Sequence, residues 1–248
     1  MAPPPPGRRL RRPAIFNERN RYAFSEFLGL AEQDDVLKSL KEFPGVPYTF
    51  YGGVDGAERV VLRVGSPDVL GYEEPWPIAL VEVKPKNAKF SDDLTHRDFL
   101  GSLMNLGLER DRLGDIYIAD NVGYVFCLEA NALYIVEQLE RVKHTSVVCS
   151  VIEELPAIPA LEPEEVMVQC ASLRTDLVLA KVYNLSRNAA SELFTQGRVF
   201  VNGRMLEHGS YELDFGEIVS VRGHGRFWLA EDRGLSRKGK RNLTVYRT

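Results

Sequence analysis

Cysteine is scarce in this chain, with three in 248 residues: Cys127, Cys149 and Cys170. The number is odd, the spacings are wide, and each lies in an apolar run, where a free cysteine acts as a small hydrophobe. Together these argue against a disulfide framework and for a reducing compartment. Histidine is equally sparse, at His96, His144, His208 and His224, and neither residue type shows metal-ligand spacing. No apolar run approaches the roughly 18 residues that a membrane span needs. A glycine-rich cofactor loop after a strand and a P-loop are both missing. No Ser, His and acid arrangement can be recognised, although sequence order alone does not exclude a triad. These gaps predict a cytoplasmic protein that is not an enzyme, with no catalytic residue, no metal, no cofactor, no small-molecule substrate and no membrane partner.

What is present is an ordinary folded composition, 44% apolar and 27% charged. The first residues, MAPPPPGRRLRRP, carry charge with no apolar stretch behind it, so they do not form a secretory signal. Residues 1–13 read as a flexible basic arm or an idle tail. The net charge of −4 hides an asymmetry. From Arg174 onward there are 13 Lys and Arg against 8 Asp and Glu, whereas residues 1–173 hold 18 against 27. A basic C-terminal unit on an acidic body points to a polyanion-binding module at that end.

The periodicities predict an α+β chain. Residues 17–42 read as helical, from Phe24, Phe27, Leu28, Leu30, Val36, Leu37 and Leu40, and residues 60–64 as a short strand. Residues 14–72 are expected to be a small helical N-terminal domain. Residues 73–155 predict strands at 77–84, 115–119, 124–128 and 146–152. One intervening helix carries Phe99, Leu100, Leu103, Met104 and Leu106, and a second is capped by Asn131. That βαββαβ order is ferredoxin-like and RNA-recognition-motif-like, which fixes an architecture and not an activity. Tyr124 and Phe126 share a strand face where such motifs stack bases, and core packing is the reading preferred here. His96, Arg97 and Asp98 form a polar cluster at a helix start, with Thr95 or Asp98 as a cap. Residues 156–173 read as a linker and a short strand, VMVQC.

Residues 174–248 carry the most information. Thr175 or Asp176 caps a short helix through Tyr183, with Asn184 as its left-handed stop, and Ser186 caps a second helix ending at Gly197. Asn202-Gly203 is a strong hairpin signal. A strand at 218–221, the basic loop RGHGR at 222–226, a strand at 227–229, the tip RKGKR at 237–241 and a last strand at 242–246 follow. Arg187 falls at the first position of the second helix, where the helix dipole disfavours a cation. Free backbone N–H groups and a guanidinium at one helix start together make an anion site, although a solvated arginine is the plainer alternative.

The stretch SRNAASELFTQGRVFVNGRML, followed by FGEIVSVRGHGRF, resembles the alpha-L RNA-binding domain first described in the ribosomal small-subunit protein S-four. HRDFLGSLMNLGLERDRLGDIYI, residues 96–118, resembles the signature of the YlmH family of bacterial proteins, so the likeness extends over nearly all of the chain after residue 17. The resemblance implies RNA binding through Arg174, Arg187, Arg198, Arg204, Arg222 and Arg226, and the basic tip adds Lys238, Lys240 and Arg241. It implies a C-terminal alpha-L domain and structured RNA as partner. It also implies association with the large ribosomal subunit, its rRNA and tRNA, in quality control of stalled ribosomes. Ser191, one turn after Arg187, stands where another base would have strengthened the RNA face. Two alternatives remain open: an RNA-modifying enzyme (rRNA pseudouridylation or methylation) anchored by the basic module, and a protein-interaction scaffold.

Overall fold

The computed structural model describes residues 21–158 and 163–248. The basic arm, residues 17–20 of the expected first helix and residues 159–162 of the expected linker lie outside the described residues. The described residues divide into two compact units, one up to Leu155 and one from Pro156 onward.

The first unit opens with a three-stranded antiparallel sheet, not with the long helix expected. β1 (Ala23–Leu28) and β2 (Tyr48–Tyr51) flank β3 (Val60–Val64). Helix α1 spans only Leu30–Leu40, and a single turn, α2, covers Pro67–Leu70. The helical spacing of Phe24 and Phe27 has a specific cause. Phe24 pairs with Arg63 and Phe27 with Val61, so two residues of β1, Ser25 and Glu26, oppose one of β3, Leu62. This bulge puts residues three apart on one face of a strand, which imitates a helix period. Ser25 at the bulge fills the gap in the ladder, its Oγ accepting the Leu62 N–H at 2.9 Å. The helix starts where Glu32 turns back to accept the Gly29 N–H at 2.7 Å.

The larger sheet of this unit has the order β5-β6-β4-β8-β7, all antiparallel. Its strands are β4 (Ile78–Pro85), β5 (Leu113–Ala119), β6 (Val122–Leu128), β7 (Arg141–Val142) and β8 (Thr145–Ile152). Helices α3 (His96–Asn105) and α4 (Glu129–Gln138) follow β4 and β6. Phe99, Leu103 and Ile135 from the helices pack on Val81, Val83, Val125 and Cys127 from the strands. Burial pushes the Cys127 thiol up to about 12, so it is a core side chain and not a nucleophile. Of the two expected caps of α3, Thr95 takes the cap position and Asp98 completes a capping box with it. Leu128, not Asn131, occupies the cap position of α4, because the helix follows β6 without a loop. Tyr124 and Phe126 are both buried, consistent with packing rather than base stacking.

One residue ties the two sheets together. Arg59 donates from Nε to the Leu113 carbonyl at 2.9 Å and from Nη2 to the Phe27 and Arg110 carbonyls at 3.0 Å each. Asp115 accepts the N–H groups of Glu58 and Arg59. Buried backbone acceptors are thereby satisfied across the seam. The expected boundary at residue 72 thus lies within one compact unit.

The second unit is a six-stranded antiparallel sheet in the order β11-β10-β12-β13-β14-β9. Its strands are β9 (Glu164–Cys170), β10 (Val199–Val201), β11 (Arg204–Met205), β12 (Ile218–Val221), β13 (Gly225–Leu235) and β14 (Arg241–Arg247). The strand expected at the end of a linker, β9, pairs with β14 along its whole length, from Cys170 opposite Arg241 to Glu164 opposite Arg247. Helices α5 (Thr175–Val182) and α6 (Arg187–Thr195) complete the unit. Val178, Leu179, Leu193 and Phe194 from the helices and Val199, Phe227 and Leu243 from the strands form its core.

Candidate nucleic-acid interface

The candidate interface is built around the starts of two successive helices, α5 and α6. Arg174, rather than Thr175 or Asp176, is the N-cap of α5, because the Thr175 hydroxyl is turned inward and donates to the Tyr211 carbonyl at 2.8 Å. At the other end of α5, Asn184 adopts φ 52°. The Leu185 N–H then reaches back to the Ala180 carbonyl at 2.8 Å, and the Asn184 N–H bonds the Lys181 carbonyl at 3.4 Å. This is a Schellman closure, and it turns the chain directly into α6. Ser186 caps α6, its Oγ accepting the Ala189 N–H at 3.2 Å. The N–H groups of Arg187 and Asn188 precede any intrahelical acceptor, so they remain available.

Arg187 is exposed and makes no hydrogen bond or ion pair among the described residues. It lines one shallow depression with Arg174, Asp176 and Leu177. The two guanidiniums that sequence reasoning placed on separate helices therefore border the same hollow. Arg174 is not free, however: it forks onto Asp176, Nη2 donating to Oδ2 at 2.7 Å and Nε to Oδ1 at 3.1 Å. The Asp176 carboxylate raises the Arg174 guanidinium above its usual range.

The basic loop after β12 lies against the end of α5. The Tyr183 ring sits 5.2 Å from that of His224 and 5.9 Å from that of Phe227. Burial pushes the Tyr183 hydroxyl up to about 12, and its ring packs beside the loop. Arg222 extends over the Phe200 ring, 4.6 Å from its centroid, a cation–π contact that leaves its charge outward. Arg226 donates from Nε to the Thr248 hydroxyl at 3.0 Å. Arg198 faces inward to the loop backbone, Nε and Nη2 both donating to the Arg222 carbonyl. It is a brace for the loop. Arg204 is exposed on the Asn202-Gly203 hairpin, where both turn residues have positive φ.

The tip residues stand apart. β13 runs eleven residues from the basic loop to the tip, about 30 Å at ~3.3 Å per residue. Lys238 and Lys240 are exposed there and make no ion pair among the described residues. Arg241 belongs to β14 and donates to Asp232 Oδ2 at 2.7 Å. Of the nine expected residues, Arg174 and Arg187 border the hollow, Arg198, Arg222 and Arg226 belong to the basic loop or brace it, Arg204 lies on the hairpin, Lys238 and Lys240 lie at the tip, and Arg241 pairs with Asp232. Sequence reasoning missed Asp176 and Tyr183. The first was signalled by its spacing of two from Arg174, and the second by nothing local. Among the described residues no group of three or more His, Cys, Asp or Glu side chains gathers as a metal site requires.

Comparison with known proteins adds a second line of observation. A family profile described as "Putative RNA-binding domain in YlmH" matches residues 72–155, the span of β4 to β8. The chain is 30% identical over 237 residues to "Ribosome-associated protein quality control protein P2" of Bacillus subtilis (strain 168), with 94% of this chain and 90% of that protein covered. Among solved structures, "Cell division protein ylmH from Streptococcus pneumoniae" matches at 22% identity with a TM-score of 0.43, over 56% of this chain and 82% of that one. This last likeness is too distant to carry an argument.

Proposed function

We propose, since this chain belongs to the YlmH family, that it binds RNA and associates with the ribosome in quality control of stalled translation. The finer reading is that it grips structured RNA of the large ribosomal subunit together with tRNA, in the cytoplasm and without catalysis. The single observation that carries the RNA contact is the hollow bordered by Arg174 and Arg187 at the starts of α5 and α6. Two guanidiniums border it, and phosphate is a ligand that both can take.

The C-terminal unit is read as an alpha-L domain. The tight turn between two short helices, the Asn-Gly hairpin and the loop held beside Tyr183 support that reading. The stretch from β4 to β8 is read as ferredoxin-like, supported by helices on one face of a sheet in which β4 lies between β6 and β8.

Co-sedimentation with purified large ribosomal subunits tests the proposal. Binding is expected, and it should weaken steeply with salt, the log–log slope being about −0.7 to −0.9 per phosphate neutralised if the nucleic-acid value transfers. Absence of binding, or binding indifferent to salt, would overturn it.

A further inference from the structure

The Asp176 carboxylate is fixed. Its Oδ1 accepts the Leu177 N–H at 2.9 Å, and its backbone N–H donates to the Gly209 carbonyl at 3.0 Å. An anion at that point is favoured by the α5 dipole. Arg174, by contrast, is held through its side chain, which is 45% exposed, against 27% for Asp176. Glu212, which faces Arg174 across an isolated β-bridge, is the other carboxylate that acts on it. Asp176 and Arg187 line the same hollow, so a carboxylate stands inside a site whose cations are set to take phosphate.

We propose that Asp176 sets the affinity of this site, occupying Arg174 in the free protein and surrendering it to an RNA phosphate on binding. The proposal rests on the reading of Arg174 and Arg187 as phosphate contacts. Three physical points support the exchange. A guanidinium makes the same two-pronged bond to phosphate as to carboxylate. An ion pair this exposed is weakly held in water. The phosphate must displace the carboxylate before it can take Arg174, so breaking the ion pair offsets part of its binding energy. The complex is therefore looser than its cations alone would make it, and the grip is easily reversed. A protein that must leave its RNA after each encounter has a use for such a residue.

Asp176→Asn tests this, because the amide oxygen still accepts the Leu177 N–H while the charge and the hold on Arg174 are lost. Asp176→Ser, which also offers an acceptor, serves as a second variant, and melting curves verify that both fold. With purified large ribosomal subunits as the probe, each variant is expected to bind about fivefold tighter than wild type at low salt, with a steeper salt slope. In an Arg174→Gln background the gain should largely disappear. Weaker or unchanged binding by folded variants would overturn the proposal, making Asp176 a positioning residue or a bystander. A gain that persists without Arg174 would also overturn it, because the effect would then be general charge. Failure of the wild-type protein to bind subunits at all would instead sink the RNA reading beneath it.

Discussion

Arg198 and Arg222 hold each other in both directions: the Arg222 N–H donates to the Arg198 carbonyl at 2.9 Å, and Arg198 Nε donates back to the Arg222 carbonyl at 2.9 Å. An added Cβ at Gly223 would strike the Arg198 guanidinium, so the loop is moulded around this side chain. Arg198→Met is therefore expected to loosen residues 222–226. Amide exchange at His224, whose N–H bonds the Val221 carbonyl, should accelerate, and RNA affinity should fall several-fold. Arg198→Lys keeps the charge but not the fork, and it should behave like Met rather than like wild type. Lost affinity with unchanged exchange would make Arg198 a direct contact.

Arg187→Glu separates binding from folding. It should abolish RNA binding, because repulsion replaces a charge-assisted bond. The melting temperature should stay level or rise slightly, because an acid in the first turn agrees with the helix dipole. Arg187→Ala should cost about 1 to 3 kcal/mol of affinity, the range for a hydrogen bond to a charged group. Normal binding by the glutamate variant would show a solvated side chain, and unfolding would show a structural partner.

Gly123→Ala probes the packing of the larger sheet. A Cβ there would run into the ring of Phe99, which is fully buried between α3 and the strands. The ring has no room to retreat, so the substitution should cost about 1 to 3 kcal/mol in denaturant unfolding. A neutral result would mean that the core around Phe99 is looser than the structure shows.

The capping box of α3 predicts a pH effect with a definite sign. The Thr95 N–H, then the Thr95 hydroxyl, hold the Asp98 carboxyl below its ordinary range. A carboxylate depressed in the folded state stabilises above its unfolded pKa, and that contribution is lost as pH falls through the folded value. Asp98→Asn should therefore lower the melting temperature at pH 7. The gap between variant and wild type should close as pH drops below the usual carboxylate value of about 3.9. A gap constant down to low pH would remove the charge from the explanation.

The residues that wrote their own structure into the sequence are those whose backbone angles are special. Asn184, Gly197, Asn202 and Gly203 all have positive φ, and the turns read from them stand where expected. Ser186 likewise announced α6. What sequence concealed was produced by pairing. The bulge in β1 disguised a strand as a helix, because register belongs to two strands and not to one. The bond from Arg241 to Asp232 depends on the β13–β14 register, and the contact of Tyr183 with His224 depends on how α5 lies on the sheet. An arginine count reveals a basic unit, but only the fold sorts its arginines into braces, paired charges and open ones.

The position of β14 within its sheet carries a consequence for the order of events during synthesis. β14 lies between β13 and β9, and Arg247 reaches across to Glu164, 83 residues earlier in the chain. A chain emerging from the ribosome presents β9 long before the strand that must lie beside it, and the two helices and four other strands are made in the meantime. The unit therefore cannot mature in step with translation. Its first strand waits with an open edge until residues 241–247 slot in and close the sheet. Pairings of such long range are slow to form, so a translation pause just before residue 241 would prolong the stage at which a stray strand could take that edge.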